Sequence, residues 1–268
     1  MCRSSLEPGG PRRCSGDTRV AYERAAAAVA DLESRAERLN TEAGGINASA
    51  STTEPRDHLW LVGTPRHRWT LLGEGQYGQV LMSPDGTRAV KELLDGRQFG
   101  QYEIELACKM GELGHSPRVF SATESFIEME VAPGRPLWSQ YRRGEDEPVM
   151  NTAQAAKVAA ALHDLHRLGF AHGDLHPLQL ICHDDDVKIV DFGLSVRHCD
   201  QPVKVMQDLN KVNALVRWDN EELQSIPFVR LVMKYLPQYR AVTGRSQAAI
   251  AQREEIAKLY LKELEEMS

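Results

Sequence analysis

Two aspartates carry the chemistry this sequence is able to perform. Asp174 lies in His172-Gly173-Asp174-Leu175-His176-Pro177-Leu178-Gln179, and Asp191 lies in Val187-Lys188-Ile189-Val190-Asp191-Phe192-Gly193. Each opens or closes a short apolar run that reads as a strand. A pair of carboxylates held this way suits phosphoryl transfer: one orients a hydroxyl nucleophile, and the other holds magnesium against the phosphates.

The elements that must position these aspartates can be read outward from them. A strand over Trp69 to Leu72 runs into Gly73-Glu74-Gly75-Gln76-Tyr77-Gly78-Gln79-Val80. The pattern G-x-G-x-x-G is shared with dinucleotide-binding folds, but there a helix follows the glycines. Here a strand follows (Gln79 to Met82), then the turn Pro84-Asp85-Gly86, then a strand from Thr87 to Leu93 that carries Ala89-Val90-Lys91. Asp-Gly between apolar runs signals a hairpin. A helix is predicted from Arg97 to Leu113. On it, Glu103 is followed by Ile104, Leu106 and Ala107, which places it beside the buried face, whereas Glu105 reads as a solvated charge. Strands are predicted over Arg118 to Ala122 and Phe126 to Val131, a short helix over Leu137 to Arg143, and a strong helix over Ala153 to Leu168. Asn151 or Thr152 caps this last helix and Gly169 closes it. Its His163 and His166 stand at i, i+3, but no ligand at matching spacing completes a metal site, so they read as packing or surface residues.

The ordered set of glycine loop, Lys91, Glu103, Asp174 and Asp191 resembles the protein-kinase-like superfamily. His172–Gln179 looks like the catalytic loop H-R-D-L-x-x-x-N, residues 191–193 match D-F-G, and Ala89-Val90-Lys91 looks like V-A-I-K. The resemblance implies an α+β, bilobal fold, with a small antiparallel-sheet N-lobe and a truncated helical C-lobe. It implies ATP and Mg2+ as cofactors. Gly73, Gly75, Gly78 and Val80 would cover the nucleotide. Lys91, positioned by Glu103, would bridge its phosphates. Met129 would sit as gatekeeper, and the backbone of Glu130 and Ala132 would meet the adenine edge. Asp174 would orient the acceptor, His176 would stand near the transferred phosphate, and Asp191 and Gln179 would hold the metal. His172 would pack near the metal motif. Two positions depart from the pattern. Gln179 replaces asparagine on a stem one methylene longer, which leaves open a nucleotide-binding pseudokinase without turnover. Gly173 replaces the arginine that meets a phosphorylated activation loop, which suggests no switching by that route.

The remainder of the chain sets limits. It has 268 residues, a net charge of −6, 42% hydrophobic and 26% charged residues. These values suit a globular protein and argue against nucleic acid as the main partner. Five cysteines without a CxxC spacing favour a reducing compartment. No apolar run reaches membrane-spanning length. Residues 1–56 read as a disordered leader with a marginal helix over about 18–43, residues 57–132 as the N-lobe and residues 133–268 as the C-lobe. After Gly193 there is no A-P-E motif. Helices are predicted over Met206 to Leu223, with Asp208 capping it or bracing the catalytic loop, and over Ser246 to Glu265, with an apolar segment from Pro227 to Tyr239 between them.

This compact plan is similar to RIO-like kinases and to HopBF-type bacterial effector kinases that target the chaperone heat-shock protein 90. The Ser/Arg/Gly-rich leader fits a type III secreted effector, so the expectation is a cytoplasmic or host-delivered Ser/Thr protein kinase. The alternatives are the pseudokinase and a small-molecule phosphotransferase. The short interval from Ala132 to His172 counts against the latter, because it lacks an insertion for an acceptor pocket.

Overall fold

In the computed structural model the chain divides into two units, Met1–Asp57 and His58–Ser268. Residues 66–75, 77–94, 96–140 and 150–267 are described, all within the second unit. The leader and its helix, and residues 141–143 of the predicted short helix, lie outside them.

Alternating apolar residues build the first half of the described chain into one antiparallel sheet. Strands β1 (Thr70–Glu74), β2 (Gly78–Met82), β3 (Arg88–Leu93), β4 (Val119–Ala122) and β5 (Phe126–Glu130) are arranged β1-β2-β3-β5-β4. The β2–β3 connection is a tight turn. Gly86 adopts φ +73°, and the Asp85 carboxylate accepts from the Ser83 hydroxyl and the Thr87 amide. Trp69, Leu81, Val90 and Phe126 form a small core of their own.

Helix α1 (Gln101–Glu112) packs beside this sheet, with Glu103, Leu106, Ala107 and Met110 buried. It starts four residues later than predicted. Phe99 is buried and its amide is bound to the Glu124 carbonyl, so the segment before Gly100 stays outside the helix.

The second half is mainly helical. A two-residue strand β6 (Arg135–Pro136) and a 3-10 turn (Leu137–Gln140) lead to α2 (Thr152–Arg167). Asn151 and Gln154 close a reciprocal capping box on α2, and Gly169 follows at φ +93°. Strand β7 (Phe170–Ala171) precedes the loop that contains Asp174, and β8 (Leu180–His183) and β9 (Asp186–Ile189) form a hairpin that ends just before Asp191. Strand β10 (Val196–Arg197) pairs back onto β7.

The predicted helix over Met206 to Leu223 is instead two helices, α3 (Val203–Lys211) and α4 (Asn213–Val216), followed by a 3-10 turn (Glu221–Ser225). The two helices part at Val212, and the second ends where Arg217 turns to φ +53°; beyond it Trp218 is fully buried and donates its indole N–H to the Leu209 carbonyl. Helices α5 (Pro227–Ala241) and α6 (Gln247–Glu266) complete the lobe. Ile256, Tyr260 and Leu264 of α6 are buried as the periodicity requires, while Leu259 is exposed.

The fold is therefore α+β and kinase-like, with a five-stranded lobe joined to a helical one. One core runs from Leu106, Met110 and Ile127 to Leu162, Leu209 and Tyr260, so the two lobes share apolar packing.

Candidate active site

β-sheet register sets the roof of the cleft. Val80 pairs with Lys91, and Lys91 with Ile127, while Ala89 pairs with Met129. Directly opposed residues in an antiparallel pair share a face, so Val80, Ala89, Lys91 and Met129 line one surface. The three loop glycines differ in kind. A Cβ on Gly78 would meet the Glu92 carbonyl oxygen at 2.5 Å, so glycine is a packing requirement there. A Cβ on Gly73 would meet nothing, and one on Gly75 only the Gly78 oxygen at 3.9 Å. These two glycines leave open space above the cleft, as a loop that admits phosphate to its backbone requires. At the exit of β5, Glu130 N donates to the Arg118 carbonyl. The Ala132 amide has no hydrogen-bond partner among the described residues and is left as a donor.

Charge converges on Lys91. Its Nζ lies 2.6 Å from Glu103 Oε1 and 2.8 Å from Asp191 Oδ1. Burial works against the charge on Lys91, but the Asp191 and Glu103 carboxylates outweigh it and hold its pKa above the ordinary value. Burial would likewise raise Asp191, and Lys91 more than offsets this, so the carboxyl lies below its usual range. Both groups are therefore ionised together at neutral pH. Glu105, as expected, pairs with Lys109 along the helix surface.

Asp191 adopts φ +69°, a left-handed conformation that few non-glycine residues adopt. The strain aims its carboxylate at Lys91. At Gly193 a Cβ would stand 3.3 Å from Glu103 Oε2 and 3.4 Å from Asp191 Oδ1, a tight approach to both carboxylates.

The catalytic loop is held from beneath by a residue the sequence offered only as a cap or brace. Asp208 on α3 is fully buried and accepts from His172 N at 2.7 Å and Gly173 N at 3.1 Å. Behind it, His166 Nε2 stands 3.9 Å from Asp208 Oδ2, and His166 Nδ1 meets the Tyr260 hydroxyl at 2.9 Å. His166 is thus a core residue linking α6 to the loop. His172 packs its ring on Phe192 and donates Nε2–H to the Val190 carbonyl. Burial depresses its pKa, so it is neutral at physiological pH. Gly173 adopts φ +83°, and a Cβ there would collide with the Leu194 carbonyl oxygen at 2.1 Å. An arginine is therefore sterically excluded in this loop path.

Asp174 is partly exposed, and its two oxygens face different basic side chains. Oδ1 lies 3.2 Å from Lys211 Nζ, and Oδ2 lies 3.7 Å from His176 Nε2. Burial lowers the His176 pKa, with Asp174 opposing and Lys211 reinforcing the shift. Lys211 was not singled out in the sequence. Its only signal there is a lysine three residues after Asp208 on a helical pattern.

Gln179 is 8% exposed, and its Oε1 is a buried oxygen without a hydrogen-bond partner. Its own carbonyl accepts from Val190 N, which fixes it beside the segment leading into Asp191. A buried carbonyl oxygen without a donor is costly, and a hard cation satisfies such an oxygen. The donor set of Gln179 and Asp191, two oxygens, therefore fits Mg2+.

The helix carrying Glu103 is also fastened to the lower lobe. Tyr102 meets the Phe170 ring edge-on at 5.3 Å, and Arg197 lies over both rings. Beyond the helix, His115 Nε2 lies 2.7 Å from Asp164 Oδ2, the His115 carbonyl accepts from Ile189 N, and Lys188 Nζ donates to the Gly114 carbonyl.

No family model matches the chain. It is similar to "Probable myosin light chain kinase" of Dictyostelium discoideum, 29% identical over 125 residues, covering 44% of this chain and 38% of that protein. It is similar to "Protein kinase PINOID 2" of Arabidopsis thaliana, 28% identical over 158 residues, covering 51% and 30%. It is also 35% identical over 75 residues to "Citron rho-interacting kinase" of Rattus norvegicus, covering 27% and 4%. The chain spans at most 38% of the length of these relatives. At these identities and spans the likeness supports a kinase-like superfamily, with phosphoryl transfer as its general chemistry.

Proposed function

We propose that this protein transfers the γ-phosphoryl group of ATP to Ser/Thr hydroxyls of a protein substrate, as a minimal atypical kinase. One observation carries the reading: the Lys91 ammonium is held jointly by Glu103 and Asp191, at 2.6 and 2.8 Å, on the same face as Val80 and Met129. That is a charged clamp for phosphates at the edge of an apolar slot for a base. Lys91 would take the inner phosphates, the spaces over Gly73 and Gly75 would admit their oxygens, and the Ala132 amide would meet the adenine edge. Gln179 and Asp191 would hold Mg2+, which when bound offsets phosphate charge. Asp174 orients the acceptor hydroxyl and takes up its proton.

The partnerless Oε1 of Gln179 favours a metal-competent site over a pseudokinase, since an acceptor is already in place for a cation. The kinase names of the similar proteins support a protein acceptor. Delivery as a bacterial effector, with heat-shock protein 90 as target, is supported by the composition of the leader and the compact lower lobe.

Transfer of radiolabelled γ-phosphate by the purified full chain tests the reading, with a host lysate and purified heat-shock protein 90 offered as acceptors. Label on protein that is lost in both Asp174→Ala and Asp191→Ala is expected. Label that persists in those variants refutes the site, and label only in acid-soluble product refutes the protein acceptor.

A further inference from the structure

Lys211 ends α3, one turn beyond Asp208, and the two residues hold the catalytic loop in different ways. Asp208 binds the His172 and Gly173 amides from within, whereas Lys211 reaches the rim, with Nζ 3.2 Å from Asp174 Oδ1 and 3.5 Å from the Gly173 carbonyl. Its side chain is 38% exposed, close to the 41% of Asp174, so the ammonium and the carboxylate open to the same solvent. The loop's own basic residue is placed differently. His176 Nδ1 accepts from the Leu178 amide, which fixes the ring and leaves Nε2 at 3.7 Å from Asp174, beyond hydrogen-bond distance. The permanent positive charge beside the acceptor carboxylate therefore comes from α3.

An ammonium has three protons to donate. With one on Asp174 and one turned to the Gly173 carbonyl, the third is available to a group arriving beside that carboxylate. In phosphoryl transfer the arriving group is the γ-phosphoryl, whose charge spreads over its outer oxygens in the transition state. We propose that Lys211 is a catalytic residue that contacts the terminal phosphate of bound ATP and stabilises it during transfer. This rests on the phosphotransferase reading above. In the step, the bond from phosphorus to the ADP oxygen breaks and a bond to the acceptor hydroxyl oxygen forms. The hydroxyl proton passes to Asp174, and Lys211 keeps its own.

Calorimetric titration of the full chain with Mg·ADP, and with the Mg complex of an ATP analogue carrying nitrogen in the β,γ bridge, separates the possibilities without needing an acceptor. Lys211→Ala is expected to weaken the triphosphate analogue about tenfold and leave ADP unchanged, the loss of one charge-assisted hydrogen bond. His176→Lys added to Lys211→Ala is expected to recover part of that loss, which a purely structural lysine would not allow. In turnover, Lys211→Ala should lower kcat roughly 100-fold and raise the KM for ATP about tenfold. Equal weakening of both nucleotides, or unchanged affinity for the analogue, overturns the role of Lys211 while leaving the nucleotide reading intact. A wild-type chain that binds neither nucleotide overturns both.

Discussion

Replacing Asp208 with alanine removes the acceptor for two backbone amides that have no other partner among the described residues. The His172 amide belongs to a residue with no solvent exposure, so its donor would stay buried and unmet. An orphaned buried donor costs about 1–3 kcal/mol, and this one belongs at the upper end, because its bond is 2.7 Å long and made to a carboxylate. The Gly173 amide is partly accessible, and water can replace some of what it loses, so its share is about 1 kcal/mol. The expected loss is about 3–4 kcal/mol, a large part of the stability of an ordinary domain, or about 10 °C in Tm for a domain of this size. Asp208→Asn keeps one acceptor oxygen and should lose about half as much. Urea denaturation measures both, and amide exchange at His172 should accelerate in the alanine variant. A loss below about 1 kcal/mol for Asp208→Ala, or a greater loss for the asparagine variant, refutes the brace.

The glycine loop and the histidines give two further tests. Gly78→Ala should destabilise the fold by about 1–3 kcal/mol, because its Cβ would meet backbone at 2.5 Å; Gly73→Ala should leave Tm within about 1 °C and reduce nucleotide affinity instead. Equal melting of the two variants contradicts the distinction. His172, His176 and His198 all have pKa values lowered by burial. A histidine whose folded pKa lies below its unfolded value costs stability as the pH falls through the unfolded value near 6.5, because only the unfolded chain takes up the proton. Melting temperature should therefore drop between pH 7.5 and 5.5, before the carboxylates titrate. A flat profile over that interval excludes this cost.

What the sequence made legible was chemistry held by short-range pattern. Lys91 sits on a strand reached by one hairpin, Glu103 follows from helical periodicity, and Asp191 follows directly from a buried strand, so all three converge as their spacing implies. Residues placed by distant packing were harder to read. Lys211 meets Asp174 only because α3 runs under the loop, and that path is fixed by Asp208 and by the apolar residues Val205, Met206 and Leu209 against the core. The break at Val212 and the turn at Arg217 were hidden for a related reason. Leu215, Val216 and Trp218 are all buried, so the apolar pattern continues although the backbone does not. The late start of α1 followed from Phe99, whose burial competes with a helix that Arg97 and Gln98 would otherwise extend. Composition has no means of showing which force wins at such a boundary.

The fastening of α1 to the lower lobe bears on control. Tyr102, Phe170 and Arg197, with the ties through His115 and Lys188, hold the helix that presents Glu103. Cation–π and edge-on ring contacts contribute about 0.5–1 kcal/mol each, so the ties together resist displacement of α1 by a few kcal/mol. Such a clamp ties the position of the Glu103–Lys91 pair to the ring packing of the lower lobe.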